Sequence, residues 1–112
     1  MRKSCDGATA GTSYTPPTME LRDLQARMRE TYGARDAARG VDTTFRWLTE
    51  EVGELAKAIR SGDPDELAHE ASDVLAWLAS LADQLGVDLE AAMARFADGC
   101  PKCGASPCRC AP

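Results

Sequence analysis

The sequence predicts an all-α protein: an antiparallel bundle of three to four helices per chain, completed by oligomerisation, with a short cysteine-rich carboxyl-terminal tail. Three observations carry this expectation. Apolar residues recur at three- and four-residue intervals across most of the chain, which is the period of an amphipathic helix and not of a strand. The breaks between periodic runs are short, and short turns favour antiparallel neighbours. From Val74 to Ala82 no residue is charged. A helix apolar all round is enclosed, and three other helices from so short a chain could hardly cover it.

The 112 residues suit one small domain with a tail at each end. The expected division is a disordered tail over 1–18, a helical domain over 19–98 and a cysteine-rich segment over 99–112. A net charge of −5 argues against a surface that coats a nucleic-acid polymer. It leaves room for a small phosphate ligand whose charge is met by bound metal. No apolar run approaches the ~20 residues that span a bilayer, and no signal peptide opens the chain, so a cytoplasmic protein without membrane contact is expected.

Residues 1–18 are rich in Gly, Ser, Thr and Pro, have no apolar period and include Pro16 and Pro17. From Met19 to about Tyr32, Leu21, Leu24 and Met28 mark a first helix, with Gly33 as its stop. Ala34 to Thr43 is then a polar connection carrying Arg35 and Arg39. A second helix is expected from about Thr44 to Ile59, with Phe45, Leu48, Val52, Leu55 and Ile59 as its apolar seam and Gly62 closing it. The third has a defined start: Asp63 as N-cap, Pro64 at the first helical position and Glu66 placed for a capping box. Leu67, Ala71, Val74, Leu78, Leu81 and Leu85 follow at helical spacing, ending at Gly86. Asp88 can cap a short fourth helix containing Leu89, Ala92, Met93 and Phe96.

Two acidic pairs sit on these helices, Glu51 with Glu54 and Glu70 with Asp73, each spaced three apart. On a helix each pair projects from one face. With Phe45, Val52 and Ile59 at heptad position a, Glu51 falls at g and Glu54 at c. With Ala71, Leu78 and Leu85 at a, Glu70 and Asp73 take the same two letters. In an antiparallel pair g flanks g across the seam, so all four acids are expected along one edge of the interface. Such a group repels itself unless a cation lies within it, and Mg²⁺ is the obvious hard cation for oxygen donors. The plainer alternative is a solvated charged face. Against it, Glu50 and Glu54 are like charges at i,i+4, and Glu51, Glu70 and Asp73 each have an apolar residue four positions downstream.

The same residues carry a family resemblance. Glu50 to Ile59 (EEVGELAKAI) followed by Glu70 to Leu78 (EASDVLAWL) resembles the MazG nucleotide pyrophosphohydrolases of the all-α NTP pyrophosphohydrolase superfamily, whose signature is E-E-x-x-E followed by E-x-x-D. The similarity runs from about Met19 to Phe96, and Thr44 to Leu48 also reads like that family. It implies a helical oligomer, a homodimer or homotetramer, that hydrolyses an NTP or dNTP to the monophosphate and pyrophosphate with Mg²⁺, for which Mn²⁺ could substitute. Glu51, Glu54, Glu70 and Asp73 would then be metal ligands, and Glu50 an accessory carboxylate that orients or deprotonates the attacking water. Lys57, Arg35 and Arg39 are the available cations for phosphate oxygens. Trp47 and Trp77, near the acidic edge, could stack on a base, although core or interface packing suits Trp77 better. A related branch of the superfamily, acting on a phosphoribosyl nucleotide or a single dNTP, is the nearest alternative activity.

Four of the five cysteines crowd the carboxyl end as Cys100, Cys103, Cys108 and Cys110. Cys100-Pro101-Lys102-Cys103-Gly104 resembles a zinc-ribbon knuckle, and four thiolates fit tetrahedral structural Zn²⁺; redox-active or merely reduced thiols are the alternative. Cys5 has no assigned role. Two other classes remain. One is a di-iron carboxylate protein using Glu66 and His69, disfavoured because His69 falls at f, away from the seam. The other is a non-catalytic zinc-bearing interaction module whose acids are solvated.

Overall fold

A computed structural model of the chain describes residues 18–112; Cys5 and the expected amino-terminal tail, apart from Thr18, lie outside them. The described residues form four α-helices, α1 (Leu21–Arg39), α2 (Val41–Ser61), α3 (Pro64–Gln84) and α4 (Leu89–Met93), then a 3₁₀ turn Ala94–Phe96. The all-α expectation is met.

Helix α1 differs from its expected length. It runs through Gly33 and ends only at Arg39, absorbing most of the expected polar connection. A glycine inside a helix costs only about 1 kcal/mol relative to alanine, which tertiary packing overrides. The actual break is Gly40, at φ 87°, a backbone conformation that side chains disfavour. Its N–H donates to Asp36 O at 3.0 Å while its own carbonyl accepts from Thr44 N at 3.1 Å, so one glycine ends α1 and starts α2.

The other boundaries follow local chemistry closely. Gly62 closes α2 in the left-handed conformation. Asp63 caps α3 by accepting from Asp65 N at 2.9 Å, and Asp88 caps α4 by accepting from Ala91 N at 3.1 Å. Glu66 does not reach back to complete a capping box. Its Oε2 accepts instead from Ser61 Oγ at 2.7 Å, tying the end of α2 to the start of α3.

Helices α2 and α3 form an antiparallel hairpin, and α1 packs chiefly along α3. Polar clamps set the position of α1. The Gln25 amide donates to Val87 O and accepts from Leu89 N, both at 2.8 Å, pinning the α3–α4 turn. Gln84 Nε2 donates to Asp36 O at 2.8 Å. Arg29 pairs with Asp83 at 2.6 Å, and Arg22 with Glu90 at 2.6 Å.

The interior seam is rotated from the expected one. On α2 the buried residues are Thr44, Glu51 and Ala58, all at g, with Leu48 and Leu55 half-buried. Phe45, Val52 and Ile59, assigned to the seam at a, are exposed. On α3, Glu70 and Trp77 at g and Asp73 and Ser80 at c are buried, while Ala71, Leu78 and Leu85 at a are exposed. The physical reason is the third helix. With α1 also to be covered, each hairpin helix turns its inner face towards two neighbours, away from the middle of its apolar stripe. The uncharged stretch of α3 is therefore partly covered by its own chain, which buries Trp77 and Ala79 to Ala82 but leaves Leu75 and Leu78 exposed.

Candidate active site

Because the seam is rotated, the acids lie inside it and not along its edge. Glu51 is 1% exposed, and Glu70 and Asp73 are each 3% exposed. Glu54, a turn beyond Glu51, is half-buried. Burial, then the charges of Asp73, Glu70 and Glu54, hold the Glu51 carboxyl above the ordinary carboxylate range. Those neighbours come from both helices, so Glu51 on α2 lies within electrostatic reach of Glu54 on its own helix and of Glu70 and Asp73 on α3.

His69 belongs to the same group. Its Nε2 is 3.3 Å from Asp73 Oδ2, and one donor atom each from His69, Glu70 and Asp73 fall within 4.8 Å of one another. Position f looks remote from an a/d seam, but it adjoins c, where the true interior begins. The i,i+4 spacing to Asp73 was the available signal. Glu66, the partner that a di-iron site would need, is exposed and bonded to Ser61.

The remaining residues separate clearly. Trp77 is 1% exposed, and Trp47 stacks on it with ring centroids 6.2 Å apart and planes at 25°. Arg39 pairs with Asp36 at 2.7 Å and sets its guanidinium 5.0 Å above the Trp77 ring, joining α1 to the aromatic wall beside the acids. Glu50, Arg35 and Lys57 are exposed; no hydrogen bond or ion pair among the described residues holds them to the cluster.

The donor set suits a hard divalent cation. Burying carboxylates is costly, and burial first, then the neighbouring acids, raises Glu51. The Glu70 and Asp73 oxygens, with Glu51 of α2 within their electrostatic reach, suit the oxygen-rich coordination of a hard divalent cation.

The thiols of Cys100, Cys103, Cys108 and Cys110 form a second cluster, with all four sulfurs within 4.8 Å of one another. Backbone N–H groups of Arg109 and Ala105 pull Cys103 down to about 6. Those of Cys103 and Lys102 lower Cys100, while the neighbouring Cys108, Cys100 and Cys103 push Cys110 up to about 11.

Fold and site together define a class: a small helical protein whose hairpin encloses a carboxylate cluster suited to a divalent cation. Residues 39–102 match the MazG nucleotide pyrophosphohydrolase domain, and the chain belongs to that family. It is 33% identical over 90 residues to the phosphoribosyl-ATP pyrophosphatase of Halobacterium salinarum, covering 73% of this chain and 95% of that protein. A stretch of 84 residues is 33% identical to the histidine biosynthesis bifunctional protein HisIE of Thermus thermophilus, covering 75% of this chain and only 38% of that longer protein. The uncharacterized protein YvdC of Bacillus subtilis is 36% identical over 92 residues, 67% of this chain and 87% of that protein. The chain is accordingly a hydrolase of pyrophosphate bonds. Glu51, Glu70 and Asp73 are buried, which does not fit the solvated-face premise of a non-catalytic module.

Proposed function

We propose that the protein is an Mg²⁺-dependent pyrophosphohydrolase that converts an NTP or dNTP and water to the nucleoside monophosphate and pyrophosphate. The observation that carries this reading is the burial of Glu51, Glu70 and Asp73 against one another across a single hairpin. Glu51, Glu54, Glu70 and Asp73 would hold Mg²⁺, with Mn²⁺ as a substitute. When bound, the cation supplies Lewis-acid polarisation of the phosphate and lowers the pKa of water.

The chain's own groups do the rest. Glu50, at the outer rim beside Glu51, accepts the proton of the attacking water as its oxygen bonds to phosphorus and pyrophosphate departs. Trp47 supplies a face for the base, backed by the buried Trp77. Arg39 meets phosphate oxygens from its place above Trp77, while Arg35 and Lys57 supply positive charge from the exposed flanks.

A second reading, a phosphoribosyl nucleotide or a single dNTP as substrate, draws support from the relatives described as phosphoribosyl-ATP pyrophosphatase. The reacting bond and the acidic cluster would be the same. A homodimer or homotetramer is proposed from the exposed Phe45, Val52, Ile59, Leu75, Leu78 and Leu85. Among the described residues no helix is long and apolar enough to cross a membrane, and a cytoplasmic location is proposed with the nucleotide substrate.

The test is pyrophosphate release with Mg²⁺ from each NTP, each dNTP and phosphoribosyl-ATP, compared with a Glu54→Gln/Asp73→Asn variant. Turnover of one substrate set by the native chain and its loss in the variant is the expected result. No turnover of any substrate, or equal turnover by the variant, would overturn the reading.

A further inference from the structure

The cysteine cluster lies apart from the hydrolase site in sequence. The family match ends at residue 102, so Cys103, Cys108 and Cys110 fall beyond it. The segment also lacks the means to fold by burial: it follows the 3₁₀ turn without helix or strand, and from residue 100 onward only Cys100 and Ala105 are even half-buried. A short segment without a core needs a staple.

Its sulfurs are nevertheless arranged. Cys100 Sγ is 3.7 Å from Cys110 Sγ, and Cys103 Sγ is 3.9 Å from Cys108 Sγ. A tetrahedron of sulfurs around Zn²⁺ with Zn–S bonds of about 2.3 Å has edges of about 3.8 Å. Both separations match that edge, whereas a disulfide would need about 2.05 Å. All four cysteines are free.

The backbone is built around the same point. Gly104 N–H donates to Cys100 O at 2.7 Å and Cys100 N–H to Ala105 O at 3.0 Å, folding the first Cys-x-x-Cys-Gly into a closed knuckle. Arg109 N–H approaches Cys103 Sγ at 3.3 Å, and Cys110 N–H approaches Cys108 Sγ at 3.3 Å. Amides aimed at sulfur stabilise thiolates, as a metal ligand requires. Gly99 admits no side chain, because a Cβ there would meet Ala105 O at 2.9 Å. Lys102 and Arg109, within the loop itself, offset the net negative charge of a four-thiolate zinc centre.

We propose that Cys100, Cys103, Cys108 and Cys110 bind one structural Zn²⁺ in a closed tetrahedral site, distinct from the carboxylate cluster, that gives residues 99–112 their fold. Four protein ligands leave no open position, so the site holds structure and does no chemistry of its own.

The experiment is elemental analysis of the full chain purified under reductant without chelator, followed by organomercurial titration of the thiols with a colorimetric zinc indicator. The expected result is about one zinc per chain, released as four thiols react. Cobalt substitution should give the intense visible bands of a tetrahedral thiolate site. Cys103→Ser/Cys110→Ser should lose the zinc while keeping native far-UV helicity, and Glu70→Gln/Asp73→Asn should keep it. Should the cysteine variant fail to fold, native stoichiometry and thiol-linked release still decide. Substoichiometric zinc after reconstitution, iron in its place, two disulfides by mass, or zinc lost only from the carboxylate variant would each overturn the proposal. None of these readouts depends on turnover.

Discussion

His69 Nε2 stands 3.3 Å from Asp73 Oδ2, one turn apart on α3. The contact is an ion pair only when the imidazole is protonated, and the imidazolium would then occupy a carboxylate proposed to hold the cation. If Asp73 holds the proposed cation, imidazole and metal compete for the same carboxylate. Apparent Mg²⁺ affinity, read from activity titrations at one fixed pH, should be about threefold higher in His69→Gln than in the native enzyme. Equal affinities in the two proteins would rule the competition out.

Glu51 is raised above the ordinary carboxylate range by burial and then by Asp73, Glu70 and Glu54. An acid whose folded pKa is raised binds its proton more tightly when folded. Its stabilising contribution is present below the unfolded pKa and is lost as pH rises through the folded one. Metal-free native protein should therefore lose thermal stability as pH climbs out of the carboxylate range towards neutrality. Glu51→Gln removes that charge, so its advantage should grow with pH, while its turnover is lost. Thermal melts in chelator across that range check the sign. A native-minus-variant difference that stays flat with pH would contradict it.

Several starts and stops of the helices were legible because they are local. Asp63 with Pro64, Gly62 and Asp88 each act through their own backbone neighbours, and each appears where the residue types place it. Gly33 misled because its cost is small and local, whereas what holds α1 together there is packing. That Glu51 on one helix would feel Glu70 and Asp73 on the other was also legible, since shared heptad letters survive any rotation applied to both helices. Their depth was not. Whether a g residue lies at the edge or the centre of a seam depends on the third helix, and α1 is what turns the hairpin. His69 was missed for the same reason.

The stacked indoles divide two roles that the sequence could not separate. Trp77 is enclosed, so Trp77→Ala should cost about 3–5 kcal/mol, read from urea denaturation. Trp47 keeps a half-exposed position over it. Trp47→Ala should cost about 1 kcal/mol of stability and should raise KM for the nucleotide more than it lowers kcat. Trp47→Phe should recover most of that KM. Equal KM values for the native, Ala and Phe forms would remove Trp47 from the base site.

Phe45, Val52 and Ile59 on α2 and Leu78 and Leu85 on α3 share heptad position a, and in an antiparallel hairpin like letters fall on the same side. All five are exposed in the single chain, Ile59 by 62%, and they lie on the flank that α1 does not cover. Burying each such side chain is worth about 1.5–3 kcal/mol, enough in sum to hold two hairpins together against the entropy of association. A lysine there would have to be desolvated opposite its own copy. Val52→Lys/Leu78→Lys should therefore weaken association by about a hundredfold or more, giving monomers with native helicity in sedimentation velocity. The native chain should sediment as a dimer or tetramer at the same concentration. A native monomer, or a variant that associates as tightly, would sever that apolar face from assembly.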